Sequence, residues 1–323
     1  MFQARQRGAP AVQIGVSFSL QRPLTVISVL PNSPAERSGL RPGQEVTAIN
    51  GAAIGEMSVT EARALIDPRE GVPTTFTVRN PDGSTRDITV APASFALPVM
   101  ESKILPDNIG VITFYNFQAG DEQLDRMREI LTGWEARGVT GWIIDLRRNS
   151  GGSAALMTAM ASLFVTGGRL YANVSRDSAP RFVNATSGLT LPFQRPLVFL
   201  VGPGSASASE ILSGSLQARG RAVVVGDVTA GCIGSFIPRG LLDGSAFNPT
   251  VSEILIGPDG LRLHHTGITP NVFAPTTAED AAAGRDPGIP AAADVIREIT
   301  GQPQPVTDLP AQSTNQRANF VEF

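Results

Sequence analysis

Three stretches of the chain hold residue types that could move protons or attack a carbonyl. Pro203-Gly204-Ser205-Ala206-Ser207-Ala208-Ser209-Glu210-Ile211 follows an apolar strand pattern and opens a helical one. A strand-to-helix junction presents a side chain and free backbone N–H groups at the end of a sheet, which suits a nucleophile. Taken alone, the stretch reads first as a small-residue loop in which Ser209 caps the helix. Gly151-Gly152 permits close approach and unusual dihedrals, which an acyl-transfer site needs where N–H groups converge on a developing oxyanion. Histidine, lysine and cysteine are scarce. His264 and His265 are the two histidines, Lys103 is the single lysine, and Cys232 is the single cysteine. Paired histidines ahead of a turn suit a surface position. One cysteine excludes an internal disulfide framework and any multi-cysteine metal site.

The elements that must position these groups fall into two textures. From Val12 to about Ala91 the pattern is short β-rich runs with turn chemistry: Ile14 to Phe18, Leu24 to Leu30, Glu45 to Ile49 and Thr74 to Val78. Ser33-Pro34 begins a one-turn helix stopped by Gly39, a second helix is predicted over Ser58 to Ile66, and Pro81-Asp82-Gly83 is a turn. Beyond Pro98, apolar strands alternate with amphipathic helices to about Ala274. The helices are predicted over Gly120 to Ala136, Ala154 to Phe164 and Ser209 to Arg219. The strands include Ile109 to Phe114, Gly141 to Leu146, Leu197 to Val201 and Ala222 to Val225. Apolar residues on both faces of these strands imply a covered sheet. A helix around Ala291 to Ile299 and a tail complete the chain. With 42% hydrophobic and 17% charged residues the sequence is globular material for two domains. Its net charge of −3, with scattered basic residues, gives no footprint for nucleic acid. No stretch approaches the roughly 18 apolar residues of a membrane span, and Met1 to Gly8 does not read as a signal peptide.

Two resemblances tie these segments together. Ser33-Pro34-Ala35-Glu36-Arg37-Ser38-Gly39-Leu40-Arg41-Pro42-Gly43-Gln44-Glu45-Val46, followed by Ile49-Asn50-Gly51, resembles a PDZ domain of the bacterial protease type. Gln44 replaces that family's usual Asp, a departure expected to weaken a turn. The resemblance implies that Ile14, Gly15, Val16 and Ser17 form the loop that holds a ligand's C-terminal carboxylate while its tail adds as a strand. Read alone, Gly15 is a simple turn glycine.

Ser205 to Ile211, Gly220-Arg221-Ala222 and Gly226-Asp227-Val228-Thr229-Ala230-Gly231 resemble the C-terminal processing (tail-specific) serine peptidases. Ile144-Asp145-Leu146-Arg147-Arg148-Asn149-Ser150-Gly151-Gly152 and Gly267-Ile268-Thr269-Pro270-Asn271-Val272 match two further motifs of that family. The resemblance implies an α/β peptidase core, a mixed sheet with helices, preceded by a small β-rich PDZ domain, with the active site in the cleft between them. The boundaries are residues 1–11 as a leader ending a segment missing here, 12–95 as the PDZ domain, 96–274 as the core, and 275–323 as C-terminal helix and tail. It implies that Ser207 is the nucleophile and that Gly151 or Gly152, with Ala208, forms the oxyanion hole. Asp145 and Arg147 are read as tying the loop down. Polypeptides with free C-termini are the implied substrates, without metal or cofactor, and the compartment is extracytoplasmic.

One departure bears on activity. Where the family has its lysine base and orienting glutamine, this chain has Cys232 and Phe236. Neither a thiol nor a phenyl ring is a plausible base for serine at neutral pH. Four readings stay open: a histidine in an absent upstream segment, a pseudoprotease that binds C-terminal peptides as a scaffold, His264 or His265 as base, or Cys232 as a nucleophile. Cys232 is otherwise expected to be a buried residue filling the lysine's space.

Overall fold

The computed structural model describes residues 12–18, 23–66, 69–95, 99–117, 120, 122–237, 239–241, 246–247 and 249–301. The leader before residue 12 and the tail beyond 301 therefore lie outside the described residues.

The N-terminal strands are β1 (Val12–Gln13), β2 (Val16–Phe18), β3 (Val26–Val29), β4 (Glu45–Ile49), β5 (Ala52–Ala53), β6 (Thr74–Arg79), β7 (Thr85–Val90) and β8 (Ala93–Ser94). They pair as β5-β4-β6-β7, β2-β3 and β1-β8, every pairing antiparallel. Alternation puts Val46, Ile49, Phe76, Val78, Ile88 and Val90 into one core with Phe18, Leu24, Val26, Ala35 and Leu40. Helix α1 (Pro34–Arg37) starts as its sequence requires: the Ser33 hydroxyl accepts the Glu36 N–H (3.1 Å) and Pro34 holds the first turn. Helix α2 (Val59–Ala64) begins with a capping box between Ser58 and Glu61. Gln44 does not weaken its turn. It is buried, its Oε1 accepts the Arg41 N–H (2.8 Å), and its Nε2 donates to Asn80 Oδ1 (2.9 Å).

The larger unit contains β9 (Met100–Ile104), β10 (Ile109–Phe114), β11 (Gly141–Asp145), β12 (Arg169–Ser175), β13 (Arg181–Asn184), β14 (Leu197–Val201) and β15 (Val223–Gly226). It continues with β16 (Gly234–Phe236), β17 (Arg239–Gly240), β18 (Ala246–Phe247), β19 (Thr250–Ile256), β20 (Leu261–Arg262) and β21 (Val272–Phe273). Its main sheet runs β21-β15-β14-β11-β10-β9, parallel except for β9. Its helices are α3 (Glu122–Ala136), α4 (Ala154–Ser162), α5 (Ala208–Ala218), α6 (Ala278–Ala282) and α7 (Gly288–Thr300).

Both faces of this sheet are covered, as the apolar strands demand. Ile112, Ile144, Phe199 and Val224 face the core shared with α3, α4 and α5, while Val111, Ile143, Val198 and Val225 face α7 through Ala292, Ala293 and Ile296. A second, antiparallel sheet runs β13-β12-β19-β16, with β20 paired to β19. The parallel strands β10, β11, β14 and β15 end on one side, and the loops after them carry the chemistry. Near them, Pro23, Val26 and Ile27 meet Arg147, Pro203, Asp227 and Pro275 around a cavity of about 320 Å³ between the two units.

Candidate active site

β14 is buried along its whole length, and Gly202-Pro203-Gly204 ends it because proline cannot extend the ladder. Gly204 lacks the side chain that would collide with the Arg147 carbonyl. Ser205 is buried; its hydroxyl donates to Leu146 O (2.8 Å) and accepts the Gly202 N–H (3.2 Å). Asn149 O accepts from the Ala206 N–H (3.1 Å) and the Ser209 hydroxyl (2.8 Å). Ser209 is thus not the helix cap. That position belongs to Ser207, at φ 55° and ψ −115°, directly before α5. A non-glycine residue at such dihedrals carries about 1–3 kcal/mol of strain, held here by the bonds on both sides.

Gly151 lies against this turn, and Gly152 lies against Phe117. A side chain on Gly151 would strike Ser207 Cβ and Ala206 O, both at 2.8 Å, and one on Gly152 would strike the Phe117 carbonyl. Both have positive φ, 99° and 143°. The two are not equivalent as donors. The Gly151 N–H is committed to Asn149 Oδ1 (2.9 Å), whereas those of Gly152 and Ala208 have no acceptor among the described residues.

Glu210 is the organising residue that sequence reasoning missed. Fully buried, its carboxylate accepts four hydrogen bonds: Ser207 N–H (2.9 Å) and Cys232 N–H (2.9 Å) on Oε2, Gly231 N–H (2.7 Å) and the Thr229 hydroxyl (2.6 Å) on Oε1. Thr229 Oγ1 in turn accepts the Ile268 N–H (2.7 Å), joining the two downstream motifs. One carboxylate therefore fixes the serine turn relative to the 229–232 loop. Ser207-Ala208-Ser209-Glu210 is a capping-box spacing, and that signal could have found it.

Cys232 is exposed, not buried in a space left by a longer side chain. The Glu210 hydrogen bond holds its backbone in the loop and leaves the thiol at the surface. Partial desolvation, followed by the Glu210 charge, pushes that thiol above its usual range. Phe236, on β16, is half-exposed.

His264 and His265 pack on the same loop, with ring centroids 3.9 Å apart. His264 Nδ1 accepts the Ile233 N–H (3.1 Å), so the neutral ring carries its proton on Nε2 and has no lone pair for a serine proton. His265 is exposed at φ 69°, its N–H donating to Gly231 O (2.8 Å). Among the described residues no side chain accepts a hydrogen bond from the Ser207 hydroxyl. Lys103 sits on β9, at the far edge of the main sheet. Ile14, Gly15, Val16 and Ser17 lie at the start of β2, where Gly15 has φ 77° and packs on Ser33.

A peptidase-type sheet with a strained serine at a strand-to-helix turn defines the class, and residues 108–273 match peptidase family S41, just over half of the 323-residue chain. The chain belongs to that family. Residues 25–80 match the PDZ domain. The carboxy-terminal processing protease CtpA of Bacillus subtilis (strain 168) is 27% identical over 251 residues, 78% of this chain and 53% of that protein. The chloroplastic carboxyl-terminal-processing peptidase 3 of Arabidopsis thaliana is 30% identical over 274 residues, 80% of this chain and 52% of that protein. The solved photosystem II D1 C-terminal processing protease shares the fold, with TM-score 0.62 at 22% identity over 84% of this chain and 76% of that one. The chain spans about half the length of the curated relatives it matches. Among the described residues no helix is long and apolar enough to cross a membrane.

Proposed function

We propose that this chain is a serine endopeptidase that cleaves polypeptides near their C-termini, outside the cytoplasm, with substrate tails captured by the PDZ domain. The observation that carries the reading is Ser207, strained at the N-terminus of α5 with Gly151 packed against its Cβ and the uncommitted N–H of Ala208 next in the chain. In this reading the Ser207 Oγ loses its proton and bonds to the carbonyl carbon as the carbonyl oxygen becomes an oxyanion held by the Gly152 and Ala208 N–H groups. The carbonyl then re-forms as the peptide C–N bond breaks, the amine leaves with a proton, and water hydrolyses the acyl-enzyme to free the acid and Ser207. Tail capture is supported by β2, which pairs only with β3 among the described residues and offers an edge for an added strand.

Cys232 occupies the position of the family's lysine and Phe236 that of its glutamine. A thiol held above its usual range accepts no serine proton at neutral pH, and His264 spends its basic nitrogen on Ile233. With no base engaged, the centre keeps only oxyanion stabilisation and binding. A positioned base typically supplies about 10²- to 10⁴-fold, so slow hydrolysis is expected of this chain. The test is cleavage of a free-acid peptide by the full chain, by Ser207→Ala, and by Cys232→Lys combined with Phe236→Gln. The double variant should exceed the parent, and Ser207→Ala should abolish turnover. Turnover surviving Ser207→Ala would sink the assignment. Parent rates near 1 s⁻¹ or more, typical of enzymes, would refute an impaired centre, and no hydrolysis by any variant would favour a tail-binding scaffold.

A further inference from the structure

We propose that Asp286 is a positioning residue for the Ser207 turn, which makes α7 a working part of the catalytic apparatus; the inference rests on Ser207 being the nucleophile. Asp286 stands beyond residue 273, where the match to family S41 ends. Its carboxylate grips the Arg147 guanidinium with two hydrogen bonds, Nη1 to Oδ1 (2.8 Å) and Nη2 to Oδ2 (2.7 Å). The same Oδ1 accepts the N–H groups of Gly288 (3.0 Å) and Ile289 (3.3 Å) at the start of α7.

On its other side the guanidinium meets Asp145, Nε to Oδ1 (3.0 Å) and Nη2 to Oδ2 (2.7 Å), and the Arg147 N–H donates to Asp145 Oδ1 (3.0 Å). Arg147 thus sits between two carboxylates, its planar fork matched on both edges. Its body is wedged into the catalytic turn. A side chain on Gly204 would strike its carbonyl, and one on Gly202 would lie 3.7 Å from its Cγ. A shift of Arg147 therefore moves Gly202 to Gly204, and with them the residues leading into Ser207.

α7 is a firm anchor. Ala292, Ala293 and Ile296 pack on the main sheet, Ile296 fills the space left by Gly141, and Gly288 leaves room for Leu200 Cδ1 and Arg147 Nη1. Asp145 alone holds one edge of the guanidinium and leaves the group free to swing about that edge. Asp286 removes this freedom by tying the second edge to a helix seated on the sheet.

The experiment uses the full chain with Asp286→Asn and Asp286→Glu. The Asn variant opposes an NH₂ to an Arg147 N–H and should lower kcat about 10-fold with KM within about twofold, since small misplacements act on the chemical step. In the same variant, amide exchange at Ser205 and Ala206, whose N–H groups bond Gly202 O and Asn149 O, should speed about 10-fold. Asp286→Glu, which keeps the charge, should recover part of both. Unchanged kcat and unchanged exchange at these amides, even with a lower melting temperature, would overturn the proposal, because α7 would then only stabilise the fold. If the parent cleaves nothing but exchange still responds, the peptidase reading fails and with it the catalytic role of α7, and only the tie between Asp286 and the 202–206 turn stands. If Asp286→Asn does not fold, the Glu variant decides on the same two readouts.

Discussion

Replacing Glu210 by glutamine tests the arrangement on which the candidate site depends. The carboxylate takes four donors, two on each oxygen. An amide of the same shape keeps one oxygen and turns an NH₂ toward the other two donors. Two buried donors then lose a charged acceptor, at about 1.5–3 kcal/mol each with partial relaxation, so the loss is about 2–6 kcal/mol. The chain's two tryptophans, Trp134 and Trp142, are 4% and 0% exposed, and both lie in the peptidase core. Their fluorescence therefore follows unfolding of that unit in urea without a signal from the PDZ domain. With a slope of about 2 kcal/mol per molar urea, the midpoint should fall by roughly 1–3 M. A midpoint within about 0.3 M of the parent at unchanged slope would refute the reasoning, since the serine turn and the 229–232 loop would then hold their shape without the carboxylate.

Two further outcomes are expected. Cys232, though exposed, should alkylate with iodoacetamide more slowly at pH 7.5 than a free model thiol, with a rate that climbs only above the usual thiol range; Glu210→Gln should move that rise to lower pH, and an unshifted profile would remove the carboxylate's charge as a cause. Gly15→Ala should cost the PDZ domain about 1–3 kcal/mol from positive φ, with a collision against Ser33 in addition, and should weaken binding of a free-acid C-terminal peptide at least about 10-fold by fluorescence anisotropy. Equal binding of free-acid and amidated peptides by the parent would remove carboxylate capture from the reading.

What could be read from the sequence was local. The Ser33 cap and Pro34 start, the bounds of β4 and β10, and the two-faced burial of β11 and β14 follow from neighbouring residues and period-2 patterning. What could not be read involves partners far apart in the chain. Ser209 looks like a helix cap because it precedes a helical run, but its hydroxyl is claimed by Asn149, sixty residues away. Gln44 looks like a weak turn residue until Asn80 meets its amide. Asp286 stands outside every motif the sequence offers, and its role appears only when Arg147, 139 residues earlier, is placed beside it. Cys232 departs from its residue type for a different reason: cysteine is usually buried, but here the Glu210 hydrogen bond fixes the backbone and leaves the side chain outside.

That outward-facing sulfur gives the molecule a built-in pair of chemical handles. Lys103, the single lysine, is exposed on β9, and Cys232, the single cysteine, is exposed beside the serine turn. A dye on the thiol and another on the ε-amine would span the main sheet from its outer edge to the loop that Glu210 restrains, with no residue of the parent sequence changed. The separation between the two dyes would then report directly on movements of that loop when a peptide tail arrives.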